Sequence, residues 1–336
     1  MPSDGGEVMN IYGCMNVGVA GLGSIATKIS RTINAYKGDD IALYACASRS
    51  AQKAEACADK YGFCKSYGDY QSLFYDENVD IVYVATPHST HFDVAKAAIT
   101  AGKNVIVEKP ACTDAAKFRA LCDLAKDRGV FLTEAFWTAF DPLVLSIRSR
   151  IKSGEFGAIR SIRSSFCQPL RHVKRMTDPA LAGGALLDLG IYCAFHTFFY
   201  HDMSATTVTA TATKYKTGVD LTTDVKVCFD GFESSFRCSF AGFGKNDVTV
   251  ETERATINLN SVNFPTKVTI KDSSTGKKTV EKLKRITGYE YEFIAAKKYI
   301  AAGATETEEI PHEFSIKQLS LCDEVRKIIG VTYPFD

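Results

Sequence analysis

The first 135 residues alternate between two hydrophobic patterns. Short runs that are apolar at almost every position are separated by longer stretches that are apolar on one face only. Asn16–Ala20, Ile41–Ser48, Val79–Thr86, Asn104–Glu108 and Val130–Ala135 read as strands. The stretch from the glycine-rich turn after Ala20 to about Tyr36, then Ala51–Tyr61, Phe92–Ala101 and Ala115–Arg128, read as helices; Gly102 and Gly129 stop the last two. Strands without a polar face must be covered on both sides, so this half predicts a doubly wound parallel sheet between helices, an α/β Rossmann arrangement.

After Trp137 the pattern changes. A helix is predicted from about Pro142 to Ser153, and then alternating strands dominate. In Phe232–Phe240, residues Phe232, Ser234, Phe236, Cys238 and Phe240 share one face, while Glu233, Ser235, Arg237 and Ser239 share the other. Val208–Thr213, Asp224–Phe229, Asp247–Glu253 and Lys267–Lys271 alternate in the same way. Such strands belong to an open, mainly antiparallel sheet with one face in a core. Two helices, near Tyr289–Ala302 and Glu313–Ile329, close the chain. The expected organisation is a dinucleotide-binding domain over 1–137, with 1–15 a loose tail, and an α+β substrate-binding and dimerisation domain over 138–336. The last helix of the second domain is free to pack back on the first.

Composition narrows the function. A 336-residue chain that is 46% hydrophobic carries enough apolar material for two separate cores. Lys plus Arg (40) nearly balance Asp plus Glu (39), so no basic excess points to nucleic acid or an anionic membrane. The first sixteen residues lack a continuous apolar run, so no secretory leader is expected. The longest apolar stretch, Ala185–Phe199, is broken by Asp188 and reads as too short to cross a bilayer. The 11 cysteines form no C-x-x-C pair, and Cys46, Cys193, Cys228 and Cys238 sit inside apolar patterns. Free thiols in a reducing cytoplasm fit that usage better than disulfides or a zinc site.

The sharpest motif is Val17–Ala26, which contains G-x-G-x-x-A at Gly21, Gly23 and Ala26. Gly21 permits the tight turn out of the strand and Gly23 lets the backbone approach a pyrophosphate. Ala26 keeps the helix close to the sheet, and the N–H groups of Ser24, Ile25 and Ala26 open that helix toward phosphate. The alternative, a chance glycine turn, does not account for the strand before it and the helix after it. At the end of the second strand an NAD site usually carries an acidic residue. Here the chain reads Ala47-Ser48-Arg49-Ser50, with Lys53 one turn on. Arg49 can hold a 2′-phosphate in bidentate fashion, with Ser48 and Lys53 beside it, which favours NADP(H). A solvated basic helix start is the plainer reading.

Candidate chemistry lies in two further segments. Glu108-Lys109-Pro110 follows a parallel strand, where carboxyl ends face the ligand crevice, and Lys109 there can stabilise an alkoxide. Gly183–Tyr192 contains Asp188 and Tyr192, four apart and so on one helix face. A carboxylate in so apolar a helix needs a cation, for which Lys109 is the candidate. Tyr192 can act as proton donor or acceptor if an ammonium lowers its pKa. A core tyrosine and a capping aspartate remain the alternative on spacing alone.

At these residues the chain resembles the glucose-fructose oxidoreductase/inositol dehydrogenase (Gfo/Idh/MocA) family. The resemblance is carried by GLGSIA, ATPHSTH, VIVEKPA, TEAFW, GGALLDLGIY and EVRKIIGVTYP, and spans nearly the whole chain. LTEAFWT, GGALLDLGIYC and EVRKIIGVTYP are most similar to its dimeric dihydrodiol dehydrogenase and NADP-dependent D-xylose dehydrogenase branch. The resemblance implies Lys109 as catalytic lysine and Tyr192 as general acid/base, where many other members have His. It implies aldoses, cyclic polyols or trans-dihydrodiols as substrates, and a homodimer through the open face of the second sheet. It also places the loop Thr86, Pro87, His88 and His91 beside the nicotinamide ribose. One departure is Ala139, where the branch suggests Arg, which would remove a charged pocket wall.

Further candidates carry plainer readings beside them. His88 and His91 could be taken as a metal pair, but no carboxylate or thiol cluster completes it. Trp137, the only Trp, is a candidate aromatic wall against substrate or nicotinamide, or else a core residue. Phe166, on the strand before the loop that carries His172, is a core residue with pocket lining as the other reading. His172 is a solvent-exposed residue by default, and the resemblance suggests that its loop closes over substrate. The function read here is hydride transfer between NADP(H) and a hydroxyl or carbonyl. A non-catalytic NADP(H) sensor or scaffold and a sugar–sugar oxidoreductase that retains its NADP are the rivals.

Overall fold

The computed structural model describes residues 13–336. Most of the expected tail, residues 1–12, lies outside the described residues. Met15, assigned to that tail, instead begins the first strand and is buried.

Six strands form a wholly parallel sheet: β1 (Met15–Ala20), β2 (Ile41–Ala47), β3 (Lys65–Tyr67), β4 (Ile81–Val84), β5 (Asn104–Glu108) and β6 (Leu132–Ala135). Their order is β3-β2-β1-β4-β5-β6, which reverses direction between β1 and β4. Loops leaving two neighbouring strands there diverge to opposite faces and open a crevice at their carboxyl ends. Local chemistry fits the helices between them. Helix Ser24–Ala35 buries Ala26, Ile29 and Ile33 at helical spacing. Helix Ala115–Arg128 is capped by the Asp114 side chain, which accepts from the Lys117 N–H, and ends at left-handed Gly129.

The second sheet has eight strands: β7 (Ile159–Cys167), β8 (Thr207–Lys214), β9 (Asp220–Cys228), β10 (Glu233–Ser239), β11 (Val248–Thr252), β12 (Ala255–Leu259), β13 (Lys267–Asp272) and β14 (Lys278–Lys282). The order is β14-β13-β12-β11-β7-β10-β9-β8. Every pairing is antiparallel except β7 with β10. Three strands were not foreseen. β3 and β14 are short edge strands with mostly exposed side chains, so pairing rather than an apolar face defines them. β12 is five residues long and pairs with β11 and β13 on either side.

Two expectations are corrected. The buried apolar side chains do form two clusters, but not one per half of the chain. One cluster joins a face of the first sheet to the whole second region. The other covers the opposite face of the first sheet and includes Tyr289, Phe293, Ala296 and Tyr299 from near the end of the chain. Sequence-distant helices thus complete the first sheet's cover. Helix Glu290–Ala301 lies on one side, and helix His312–Ile329 packs beside Ala115–Arg128 on the other. The apolar segment is also not short. Pro179–Phe198 spans 20 residues and holds an 18-residue window of mean hydropathy 1.3, yet 94% of that window is buried, so protein rather than lipid covers it.

Within that segment, Leu186–Gly190 is a π-helical turn that runs into the α-helix Ile191–Phe198. The wider turn displaces Asp188 from regular α spacing to Tyr192, a distortion common at functional sites. Gly190 is required where β10 crosses, since a Cβ there would lie 2.8 Å from Cys238 Sγ.

Candidate active site

The carboxyl ends of β1, β2, β4, β5 and β6 and the end of β7 surround a cleft of about 730 Å³. Gly21, Gly23, Ser24, Ile25, Ser48, Arg49, Lys53, Thr86, Pro87, His88, His91, Glu108, Lys109, Trp137, Phe166, Asp188 and Tyr192 all line it. Ala26 is buried behind it, against the sheet.

One end of the cleft suits a dinucleotide. Gly21 has φ +94°, and a Cβ would meet the Ala85 carbonyl at 2.9 Å, so only glycine lets β1 and β4 loops approach this closely. A Cβ on Gly23 would project into open space beside the cleft. Helix Ser24–Ala35 starts with no side-chain cap and no acidic residue in its first turn, leaving its N–H groups to an anion. The buried Thr86 hydroxyl has no partner among the described residues. At the end of β2, Arg49 and Lys53 are exposed and make no ion pair among the described residues. These features fit a pyrophosphate at the glycine turn and a further phosphate near Arg49.

At the other end lies a charged cluster. Lys109 Nζ donates to the Asp188 main-chain oxygen at 2.7 Å and to its Oδ1 at 2.9 Å. Arg175 donates to Asp188 Oδ2 at 3.0 Å, and His88 Nε2 stands 3.7 Å from Oδ1. Burial alone would raise the Asp188 pKa; Lys109 and Arg175 outweigh it and hold the carboxyl well below its ordinary value. Burial pushes His88 down to about 3, so it is neutral beside this carboxylate. Glu108, raised by burial, accepts from the Tyr83 hydroxyl at 2.5 Å and from the Lys109 N–H at 3.1 Å.

Tyr192 departs from expectation. Lys109 Nζ sits over its ring, 5.1 Å from the centroid, rather than at its hydroxyl. Burial, with Tyr289 and Glu108 nearby, raises the phenol well above its ordinary value instead of lowering it. Tyr192 therefore keeps its phenolic proton in this state. Its hydroxyl accepts from Trp137 Nε1 at 3.0 Å.

Three other expectations change, and His172 keeps its exposed default rather than meeting substrate. Trp137 offers no face to a ligand, because Phe264 and Tyr289 stack on its two sides at 4.6 and 4.2 Å between centroids. His172 is exposed and off the cleft; Arg175, three residues on, is the member of that loop that reaches the site. His91 is fully buried, its two ring nitrogens 2.9 and 2.8 Å from the Pro110 and Thr86 carbonyls, and the one N–H of the neutral ring donates to one of them, so it holds a loop rather than facing a ligand. Ala139 is wholly buried in the core, so its small size removes no pocket wall. Phe166 meets both readings: it is buried, lines the cleft and packs edge-on to Tyr192. The sequence reading missed Arg175, Gln168, Leu170, Leu181, Asn263 and Tyr289, which also line the cleft. Only Arg175 carried a signal, as a cation near an aspartate that needed one.

Comparison with known proteins agrees with this geometry. Residues 15–136 match the model of an oxidoreductase family with an NAD-binding Rossmann fold, and residues 144–258 match the GFO/IDH/MocA C-terminal domain. The trans-1,2-dihydrobenzene-1,2-diol dehydrogenase of Bos taurus is 32% identical over 330 residues, covering 95% of this chain and 98% of that protein. Among solved structures, an aldose-aldose oxidoreductase from Caulobacter crescentus shares the fold with TM-score 0.85 at 19% identity, over 94% of this chain and 98% of that one. A 3-ketoreductase from Actinomadura kijaniata in complex with NADP and TDP-benzene does so with TM-score 0.83 at 24% identity, over the same shares. A dinucleotide cradle and a Lys–Asp–Tyr cluster in one cleft, on a chain that matches both family domains, establish that this protein belongs to the GFO/IDH/MocA oxidoreductases and is an NAD(P)-dependent dehydrogenase acting on CH–OH groups.

Proposed function

We propose that this chain transfers hydride between NADP(H) and a hydroxyl or carbonyl of an aldose of the D-xylose or D-glucose type, a cyclic polyol or a trans-dihydrodiol. The observation that carries the reading is the Lys109–Asp188 pair beside Tyr192, in the cleft that also holds the glycine turn. The bound nicotinamide supplies the hydride donor or acceptor. The chain's own residues handle the proton and the charge. In the direction of reduction, Tyr192 Oη gives its proton to the carbonyl oxygen as that oxygen gains electron density. In oxidation the same oxygen, starting from its ionised form, receives it. Lys109, anchored by Asp188, places a positive charge near the developing alkoxide. His88, neutral and beside Asp188, and half-exposed Arg175 are placed to meet substrate hydroxyls.

Arg49, with Ser48 and Lys53 beside it and no carboxylate at the end of β2, supports NADP over NAD. We divide the chain functionally into a cofactor domain to residue 137 and a substrate domain from 138. The face of the second sheet that carries Thr209, Thr211, Lys226, Ser235, Arg163 and Arg237 is polar and uncovered among the described residues, and supports a homodimer through it. Free thiols throughout support a reducing, cytoplasmic setting.

The test is Tyr192→Phe, assayed with NADP and a panel of aldoses and dihydrodiols by NADPH absorbance. Turnover should fall at least about 100-fold, while NADPH affinity, measured by fluorescence titration, stays within about twofold. Retained turnover would remove Tyr192 from the mechanism.

A further inference from the structure

The only tryptophan in the chain is held as the middle of a stack of planar groups. Arg285 lies over Phe264 at 3.9 Å, Phe264 over Trp137 at 4.6 Å, and Trp137 over Tyr289 at 4.2 Å with an interplanar angle of 13°. The four residues come from three separate segments. Phe264 belongs to the turn between β12 and β13, Arg285 and Tyr289 to the connection into helix Glu290–Ala301, and Trp137 to the turn after β6. Each segment is tied down. The Thr138 hydroxyl donates to the Asn263 main-chain oxygen at 2.7 Å. The Glu290 carboxylate accepts from the N–H groups of Ile286, Thr287 and Gly288. Arg285 pairs with Asp141, both buried.

An indole clamped on both faces can rotate neither away from its neighbour nor toward a ligand. Its edge is what remains available, and the N–H on that edge points at Tyr192 Oη, 3.0 Å away. An indole nitrogen can only donate. The tyrosine oxygen therefore accepts there, and its own proton must point elsewhere, along a direction left open to the cleft.

We propose that Trp137 is a positioning residue for proton transfer: clamped by Phe264 and Tyr289, it fixes the Tyr192 hydroxyl rotor and stabilises the oxygen once its proton has left. This rests on the reading of Tyr192 as acid/base. The other groups around that oxygen do not replace the indole. Glu108, Asp188 and Tyr289 disfavour negative charge on it, and Lys109 faces the ring. Phe136 and Phe166 fill the remaining ring contacts and carry no charge. Among the described residues, the indole hydrogen bond is the one directed stabilisation that the phenolate finds, and such bonds to an ionised group are stronger than those to neutral groups.

Because Trp137 is the sole tryptophan, ¹⁵N-tryptophan labelling gives a single indole N–H resonance. In the protein without nucleotide, Tyr192→Phe should move that resonance upfield by several tenths of a ppm, as the acceptor is lost. In Trp137→Phe, which keeps a ring in the stack, the limb of the kcat–pH profile for substrate oxidation should move up by about one pH unit, the tenfold that a hydrogen bond to a charged group is worth. KM for NADP should stay within about twofold. An unmoved resonance, or a Trp137→Phe pH profile that overlays the wild type, would overturn the proposal. Turnover retained by Tyr192→Phe would instead overturn the acid/base reading, and the resonance would still report whether the hydrogen bond exists. If Trp137→Phe fails to fold, the resonance experiment on Tyr192→Phe decides the matter alone.

Discussion

Replacing Glu134 with glutamine should make the protein more stable, and increasingly so as pH rises. Glu134 lies on β6, wholly buried. Its Oε1 accepts from the Ala111 N–H at 3.0 Å and its Oε2 from the Ser315 hydroxyl at 2.6 Å. It thus joins the turn just after Lys109-Pro110 to helix His312–Ile329. Burial outweighs those two donors and lifts the carboxyl from 4.5 to about 7. Below pH 4.5 the group is protonated in both folded and unfolded chains and costs nothing. Above that the unfolded chain ionises first, so stability falls until pH passes about 7 and is level beyond. The full loss is about 3 kcal/mol. Glutamine has the same shape, keeps an acceptor for Ala111 and does not titrate. Its intrinsic hydrogen-bond cost is the same at every pH, so the comparison between two pH values isolates the ionisation. From the same linkage relation, the advantage of Glu134→Gln over wild type should be about 2 kcal/mol larger at pH 8.5 than at pH 5.5. Urea unfolding followed by circular dichroism at the two pH values measures this. Equal differences at both would show that Glu134 ionises normally, and that its burial is offset by something other than protonation.

Three further outcomes follow from the same geometry. Arg49→Ala should raise KM for NADP roughly 10- to 100-fold, the value of charge-assisted hydrogen bonds to phosphate, and leave KM for NAD within about twofold; equal effects on both would argue against a 2′-phosphate site. Asp188→Asn leaves the Lys109 and Arg175 cations without their shared counter-charge. Stability to denaturant should fall by about 3 kcal/mol, and Arg175→Met in the same background should restore part of it; simply additive losses would show the two to be uncoupled. Gly21→Ala forces a side chain into φ +94° and against the Ala85 carbonyl. It should cost about 2 kcal/mol and weaken NADPH binding measured by calorimetry, whereas wild-type affinity would place the cofactor elsewhere.

Local structure was legible in the pattern of residues. Uninterrupted apolar runs specify strands buried on both faces, and strict alternation specifies strands buried on one, because side-chain direction follows backbone periodicity. That is why β5 and the helices Ala51–Tyr61 and Ala115–Arg128 were legible to the residue, and why Gly21, Gly23, Arg49 and Lys109 could be named as a site. Edge strands β3 and β14 were not legible, since neither has a core face to show. The convergence of distant side chains was not legible there. Arg175 reaches Asp188 because the loop before Gly183 folds back over the cleft, and Trp137 turns its edge to Tyr192 because Phe264 and Tyr289, more than a hundred residues away, close on its faces. Helix Glu290–Ala301 crosses from the end of the chain to cover the first sheet. The phenol of Tyr192 is raised, not lowered, because its ionisation answers to the desolvation and charges gathered around it in space. Periodicity encodes which way a side chain points from its own backbone; what it meets there depends on the crossing of elements far apart in the chain, on which local pattern is silent.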